Sequence, residues 1–187
     1  MTREGSRGEC AAPHCPRRQP RSGATQPQAA TLGAGRGRHQ LPAATGGTTS
    51  LVDYKGKTVL LYFHEGLGCQ PCWDQIRDLD KQAADLKAAG VDDVVTITTG
   101  APNLVAQKLQ DDKLTAVALS DTDLTVSRQY NANQYGMMGN DRDGHTFILV
   151  GPDGKIQWRA DYGGAPNYTM YVAPAQLLTD LKNGRKP

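Results

Sequence analysis

Two cysteines three positions apart, Cys69 and Cys72, are the residues of this chain best placed to do chemistry. They follow an apolar run and a glycine-containing loop in LLYFHEGLGCQPCWDQI, residues 60–76. Pro71 suits the first turn of a helix, where a missing N–H costs nothing, so Cys69 is predicted to lie at a helix N-terminus. Unpaired N–H groups and the helix dipole there favour a thiolate, which is the reactive form of cysteine.

The same spacing allows the two sulfurs to join. Cys72 lies one helical turn after Cys69, and a disulfide between them would be a reversible two-electron couple that needs no bound cofactor. Two inert buried thiols are an alternative, disfavoured by the position after a glycine-rich turn. A zinc site is another, but zinc needs two further ligands, and the candidates lie far upstream: Cys10, His14 and Cys15.

The elements that must position this pair alternate along the chain after residue 40. The apolar run TVLLYF predicts a central buried strand. A helix from about Pro71 to Gly90 follows, with one apolar face at steps of three and four: Trp73, Ile76, Leu79, Ala83 and Leu86. Further strands are predicted at 93–99, 115–120, 145–150 and 155–162, and further helices at 102–112, 121–130 and 173–184.

The resulting order is β-α-β-α-β-α-β-β-α. Alternation of strands and helices predicts an α/β fold with a central, mostly parallel sheet and helices on both faces. The turn GPDG, between the last two predicted strands, adds an antiparallel C-terminal hairpin.

Residues 1–40 differ in composition from the rest of the chain. They contain seven arginines, two acidic residues and one large aliphatic residue after the initiator, Leu32. Such a stretch cannot bury enough apolar surface to offset its chain entropy, so we predict a disordered Arg/Gly/Pro-rich tail at 1–40 and a folded domain at 41–187. No aromatic or periodic pattern accompanies the charge, so no nucleic-acid partner is expected.

Charge and hydropathy exclude several classes of protein. The formal net charge of +2 favours no particular partner, and four cysteines in a chain of this length do not form a disulfide scaffold. We find no apolar run long enough to span a membrane and no apolar core of a signal peptide. As written, the chain is expected to be cytoplasmic.

Several stretches resemble known families. VLLYF followed by CQPC resembles the thioredoxin fold. Three longer stretches resemble the redoxin group, the alkyl hydroperoxide reductase and thiol-specific antioxidant (peroxiredoxin-like) family: LPAATGGTTSLVDYKGKTVLLYF, VALSDTDLTVSRQYNANQYG and HTFILVGPDGKIQWRADYGG. The resemblance covers about residues 41–183 and implies a thioredoxin-like fold.

The resemblance begins abruptly at about residue 41. The expected Ala-Pro-x-Phe lead-in is replaced by GRGRHQ. We therefore hypothesise that residues 1–40 reflect a misread start, in which case the native protein would be exported or membrane-anchored.

The chain departs from the peroxiredoxin signature Pro-x-x-x-Thr-x-x-Cys. Counted back from Cys72, the Thr and Pro positions hold Cys69 and Glu65; counted back from Cys69, they hold Gly66 and Tyr62. A peroxiredoxin register makes Cys72 the attacking sulfur, and a thioredoxin register makes it Cys69. The absent signature favours Cys69.

A second departure precedes the strand HTFILV. Thioredoxins share a cis-proline at this point, and several peroxiredoxins have an arginine there. This chain has Gly144 at the same position. Arg142 is nearby but does not match by position, and a solvated loop arginine is the simpler interpretation.

Four residues near the pair are candidates for supporting roles. Glu65 and His64 precede the cysteines, and a carboxylate beside a dithiol can relay protons; the alternative for Glu65 is a side chain facing water. His145 is a candidate to stabilise a thiolate, or else an ordinary strand-end histidine with a satisfied hydrogen bond. Trp73 would shield the disulfide or offer a recognition surface, although its helical spacing favours the core.

These observations lead to three functional hypotheses. The first is a thiol–disulfide oxidoreductase in which Cys69 attacks a protein or small-molecule disulfide, Cys72 resolves the mixed disulfide, and an external thioredoxin-type dithiol resets the pair. The second is a thiol peroxidase, in which one sulfur is oxidised by a hydroperoxide and the other condenses with it. The third is a non-catalytic thioredoxin-fold binding module. None of the three calls for a metal or bound cofactor, and the sequence leaves the oligomeric state open.

Overall fold

A computed structural model of the chain describes residues 38–185. The tail predicted at 1–40 lies outside this range except for its last three residues, and the three upstream zinc candidates, Cys10, His14 and Cys15, lie outside it too. The boundary predicted between tail and domain therefore stays a prediction.

A five-stranded sheet forms the centre of the described part. A small hairpin precedes it, made of β1 (Leu41–Pro42) and β2 (Thr48–Thr49). The sheet strands are β3 (Val59–His64), β4 (Asp93–Thr98), β5 (Val117–Ser120), β6 (Thr146–Val150) and β7 (Ile156–Asp161), in the spatial order β5-β4-β3-β6-β7.

The sheet is parallel on one side of β3 and antiparallel on the other. β3 pairs in parallel with β4, and β4 with β5, whereas β6 runs antiparallel to both β3 and β7. The predicted α/β class and C-terminal hairpin are thus confirmed, and the sheet is mixed. Because β6 runs against β3, the end of β3 lies beside the start of β6, where Phe63 pairs with Thr146.

The helices are α1 (Gln70–Lys81), α2 (Ala83–Ala88), α3 (Pro102–Asp111), α4 (Thr125–Gln129) and α5 (Pro174–Gly184). The single helix predicted from Pro71 to Gly90 is interrupted at Gln82. The amide of Gln82 donates to the carbonyl oxygens of both Asp78 and Leu79, which tightens the last turn of α1. None of the described helices has the length and apolar character needed to cross a membrane.

Hydrophobic cores lie on both faces of the sheet. Leu60 and Tyr62 of β3 pack on the same side as Trp73 of α1 and Leu177 of α5. The alternate residues of β3 pack on the other side, against α4 and the residue after it. Side chains of a strand point alternately to opposite faces, so a strand covered on both faces is mostly apolar, as residues 59–63 are.

Candidate active site

Cys69 and Cys72 are joined by a disulfide at the start of α1. The sulfurs are 2.05 Å apart and the two Cα atoms 5.3 Å apart. The structure therefore brings the predicted pair together in its oxidised form. Pro71 lies in the first turn of α1, between the two cysteines.

The two sulfurs have different environments. Cys69 is the residue that caps the N-terminus of α1, and its Sγ accepts a hydrogen bond from the backbone N–H of Cys72 at 3.3 Å. Cys69 is 8% exposed and Cys72 is 0% exposed. Cys69 is thus slightly more exposed than Cys72, and a thiolate at that position would be stabilised by the N–H groups of the first turn.

The loop before the disulfide has a conformation that requires glycine. Gly66 has φ +103°, and a Cβ atom added there would lie 2.7 Å from Oγ1 of Thr98. Its carbonyl oxygen accepts hydrogen bonds from the backbone N–H of Cys69 at 3.1 Å and from Nε1 of Trp73 at 3.2 Å. Trp73 is completely buried, as the core interpretation predicted, and its indole also holds the loop that presents Cys69.

Glu65 does not face water. It is 9% exposed, and its Oε1 accepts a hydrogen bond from the backbone N–H of Met137 at 2.8 Å. This bond ties the loop before Cys69 to the segment 135–144, which leads into β6. Met137 and its neighbour Met138 are themselves exposed, at 56% and 67%.

A buried polar cluster lies on the face of the sheet that α1 covers. Tyr62, His64 and His145 are each 0% exposed. The Tyr62 hydroxyl is hydrogen-bonded to Nδ1 of His145 at 2.8 Å. The ring of His64 stacks on that of Tyr62 with centroids 5.2 Å apart, and it meets the ring of Trp73 edge-on at 5.5 Å. Sequence reasoning named the two histidines but missed Tyr62, although its spacing of two from His64 on a strand predicts a shared face.

Both histidines are neutral at physiological pH. Burial lowers the pKa of His64 to about 3. Burial, and then the proximity of His64, lowers the pKa of His145 to about 3. A neutral ring can stabilise a thiolate only through an N–H donor, so the stabilisation predicted for His145 cannot come from a positive charge.

The position of the family arginine holds no side chain. A Cβ atom on Gly144 would lie 2.2 Å from the carbonyl carbon of Tyr135, so only glycine fits. Arg142 is exposed. Arg159 on β7 is committed elsewhere, because its guanidinium group is bonded to the Asp161 carboxylate and lies over the ring of Tyr135.

Within residues 38–185 there is no group of three or more His, Cys, Asp and Glu side chains arranged to hold a metal ion.

Comparison with known proteins identifies the family. The model of the AhpC/TSA family matches residues 38–159, more than half of the chain. The chain belongs to the AhpC/TSA family. The family resemblance inferred from the sequence is thereby confirmed.

Relatives of this AhpC/TSA family member are peroxiredoxins. It is 32% identical to Peroxiredoxin Bcp of Escherichia coli (strain K12) over 123 residues, which cover 64% of this chain and 78% of that protein. Its fold is similar to the crystal structure of a Xylella fastidiosa PrxQ mutant, with TM-score 0.68, 15% identity and coverage of 83% and 94% of the two chains.

A third similar protein has a described activity. It is the Xanthomonas campestris bacterioferritin comigratory protein, described for its alkyl peroxide reduction, with TM-score 0.63, 15% identity and coverage of 79% and 92%. The predicted thioredoxin-like fold is thus confirmed, and the AhpC/TSA family member is an oxidoreductase of the peroxiredoxin type. Of the two enzymatic hypotheses, the relatives favour the thiol peroxidase over general disulfide exchange.

Proposed function

We propose that this protein is a thiol peroxidase that reduces hydroperoxides with Cys69 as the attacking sulfur and Cys72 as the resolving sulfur. The observation that carries the proposal is the position of Cys69, which caps a helix N-terminus and is the more exposed of the two disulfide-bonded residues. Membership of a family whose named relatives are peroxiredoxins supplies the substrate class.

The reaction needs only the two sulfurs and an external reductant. The Cys69 thiolate attacks one peroxide oxygen, the O–O bond breaks, and the other oxygen leaves as an alcohol or water after taking a proton. The resulting sulfenic acid condenses with the Cys72 thiol, which releases water and forms the 69–72 disulfide. A dithiol, of the thioredoxin type, then exchanges with the disulfide and restores both thiols.

Backbone groups replace the side chains of the usual peroxide pocket. Counted back from Cys69, the threonine position of the signature holds Gly66, and the arginine position holds Gly144. The N–H of Cys72, already donated to Cys69 Sγ, is one donor at the site. Since fewer fixed donors polarise the O–O bond, we expect a slower reaction with peroxide than in members with the full signature.

Single-cysteine variants test the assignment of the sulfurs. We expect reduced Cys72→Ser to consume one equivalent of hydroperoxide and to accumulate a sulfenic acid that dimedone traps at residue 69. We expect reduced Cys69→Ser to react no faster than a free thiol. Stopped-flow peroxide consumption and mass spectrometry of the trapped product measure both.

The reverse pattern would assign the attack to Cys72, as in the peroxiredoxin register. If neither variant nor the wild type reacts faster than free cysteine, the peroxidase proposal fails.

Disulfide exchange is a second candidate, and the compact Cys-x-x-Cys ring at the start of α1 favours it. In that case the attacked group is a disulfide of a protein or a small molecule, and Cys69 forms a mixed disulfide with it. Reduced protein mixed with either a hydroperoxide or an oxidised protein substrate distinguishes the two, since the faster second-order reaction identifies the substrate class. A thiol count by alkylation that is the same with and without dithiothreitol would instead indicate a non-catalytic binding module.

A further inference from the structure

Cys72 must lose a proton during the proposed cycle, yet it is completely buried. In the resolving step its sulfur attacks the Cys69 sulfenic acid, and a thiol is a poor nucleophile until its proton is removed. Burial in apolar surroundings raises the pKa of a thiol, so spontaneous ionisation of Cys72 is disfavoured. A proton acceptor within the protein interior would remove this obstacle.

His64 has the free acceptor capacity that this step needs. Neither its Nδ1 nor its Nε2 has a hydrogen-bond partner in the described part of the protein, although the ring is completely buried. Buried polar groups are normally hydrogen-bonded, and exceptions often have a redox or catalytic reason. A neutral imidazole has one N–H and one lone pair, so it can accept a proton and stay hydrogen-bonded to the sulfur that gave it.

The position of His64 points to the helix that carries Cys72. His64 is the last residue of β3, and its ring contacts the ring of Trp73, the residue directly after Cys72, at 5.5 Å. The stack with Tyr62 at 5.2 Å fixes the other side of the ring. The imidazole therefore lies beside Tyr62 of its own strand and the Trp73 side chain of α1.

The neighbouring candidates are partly engaged, although Nε2 of His145 also lacks a hydrogen-bond partner in the described part of the protein. His145 uses Nδ1 in its hydrogen bond with the Tyr62 hydroxyl, and its other ring contacts are with Phe147 and Tyr162 rather than with α1. Glu65 accepts the backbone N–H of Met137. His64 is the member of this group with both polar atoms free of protein partners.

We propose that His64 is the proton acceptor for Cys72 in the resolving step. As the Cys72 S–H bond breaks, its proton passes to a nitrogen of His64, and the sulfur electron pair forms the bond to Cys69 Sγ. The S–O bond of the sulfenic acid breaks, and the departing hydroxide takes a proton to leave as water, which returns His64 to its neutral form. The inference rests on the proposed peroxidase cycle and assigns one step within it.

The electrostatic surroundings restrict His64 to a transient role. Burial lowers the pKa of His64 to about 3, so its lone pair is free throughout the physiological range. The titratable groups nearest to it are Tyr62 and His145 on the sheet and Glu65 in the adjoining loop. An imidazolium there is unstable unless an anion forms beside it, as happens when hydroxide or a thiolate leaves.

The test uses the variant His64→Phe, which keeps an aromatic ring between Tyr62 and Trp73. It measures sulfenic acid formation at Cys69 separately from closure of the 69–72 disulfide. Stopped-flow fluorescence and dimedone trapping measure sulfenic acid formation, and the rate of disulfide closure is followed separately. We expect unchanged sulfenic acid formation but closure slower by about tenfold near neutral pH, less than the ~10²–10⁴-fold of a base whose pKa lies near the working pH, because the pKa of His64 is lowered to about 3. We also expect closure in the variant to rise about tenfold per pH unit as Cys72 ionises unaided, and more shallowly in the wild type.

A second route to closure makes the test independent of peroxide. Cys69 is converted to its mixed disulfide with 5-thio-2-nitrobenzoate, and attack by Cys72 releases the coloured thiolate. If the wild type forms no sulfenic acid, the peroxidase proposal fails, while this assay still measures proton removal from Cys72. The same slow, steeply pH-dependent closure is expected in His64→Phe.

His145→Phe is the matched control, since His145 is equally buried and neutral but contacts the strands. Closure in this variant should stay within a few-fold of the wild type. Equal closure rates and pH slopes in wild type and His64→Phe would overturn the proposal, as would slow closure in His145→Phe alone.

If His64→Phe fails to fold, His64→Gln replaces it in the test. Glutamine keeps a hydrogen-bonding side chain without a basic nitrogen, and closure of the disulfide must be slow in this variant too.

Discussion

Cys69 and Cys72 are equivalent in the motif and unequal in the structure. The difference arises from one turn of helix: Cys69 caps α1 and is 8% exposed, while Cys72 lies in the third position of the helix and is completely buried. This inequality favours Cys69 as the attacking sulfur, because accessibility and the helix N-terminus act on the same atom. Cys72 is correspondingly suited to resolve, since an internal attack needs no access to solvent.

Gly66 illustrates a residue whose importance is conformational. Its φ of +103° is costly for any residue with a side chain, and a Cβ atom would lie 2.7 Å from Thr98 Oγ1. We expect Gly66→Ala to destabilise the protein by about 1–3 kcal/mol, measured by urea unfolding. Peroxide reduction should slow as well, because the loop presents Cys69.

Gly68 offers the matched control for this experiment. It lies in the same loop, and a Cβ atom there would meet no other atom within 4 Å. Gly68→Ala should change stability by less than about 0.5 kcal/mol, as for a surface substitution. If the two variants lose the same stability, backbone conformation at Gly66 is not the cause.

At the scale of elements, the site is the meeting point of three segments. The loop after β3 presents Cys69, the indole of Trp73 on α1 holds that loop, and Glu65 anchors the segment before β6. The carboxylate of Glu65 and the amide of Met137 are separated by 72 positions in the sequence. Their hydrogen bond is therefore a tertiary contact that couples two surface segments at the disulfide.

The hydrogen bond between the Met137 amide and the Glu65 carboxylate can be tested by removing the acceptor oxygen. In Glu65→Ala the amide of Met137 loses its partner, so we expect its hydrogen exchange to become faster by about tenfold, for a contact worth about 1.5 kcal/mol. Glu65→Gln keeps an acceptor oxygen at the same place and should retain most of the protection. Hydrogen–deuterium exchange of peptides covering 135–144 measures both, and equal protection in the two variants would contradict the anchoring role.

At the scale of the whole molecule, two sets of buried titratable groups set the pH dependence of stability. Asp143 is completely buried, and neither carboxyl oxygen has a hydrogen-bond partner in the described part of the chain. Burial raises the pKa of Asp143 to about 7, the nearby Ser127 hydroxyl opposes this rise, and the Asp121 carboxylate adds to it. Asp121 is itself held by the N–H groups of Val126 and Ser127 at the start of α4.

The sign of each contribution follows from proton binding. Between pH 3.8 and about 7, folded Asp143 keeps a proton that the unfolded chain releases, so its contribution to stability is lost as pH rises through this window. The buried histidines act oppositely. Between about pH 3 and 6.5 the unfolded chain binds protons that folded His64 and His145 do not, so stability rises with pH.

A comparison of variants isolates the part due to Asp143. At each pH we compare the free energy of unfolding of Asp143→Asn with that of the wild type. We expect this difference to favour the variant by about 2 kcal/mol more at pH 8 than at pH 5, since only the wild type must ionise this buried carboxyl. Urea unfolding at the two pH values measures the difference, in which the histidine contributions cancel. The exposed Asp141 gives the control, and Asp141→Asn should show no such difference.

The sequence by itself determined the local features of this protein. The apolar run before the loop, the proline in the first helical turn and the glycines fixed the order of elements and placed Cys69 at a helix N-terminus, because these signals act over a few residues. The single helix predicted from Pro71 to Gly90 was wrong, since α1 ends at Lys81 and α2 begins at Ala83. The break depends on how the helix lies against the sheet, which periodicity does not specify.

Only the tertiary structure decided how the site is assembled. The bond between Tyr62 and His145 joins residues 83 positions apart, and no local pattern predicts it. The same holds for the burial of Cys72, the anchoring of Glu65 and the two free nitrogens of His64. The physical reason is that burial and hydrogen-bond partners are properties of packed surfaces: β6 runs antiparallel to β3 and α1 closes over both, and the chemistry of each side chain is set by what that packing leaves beside it.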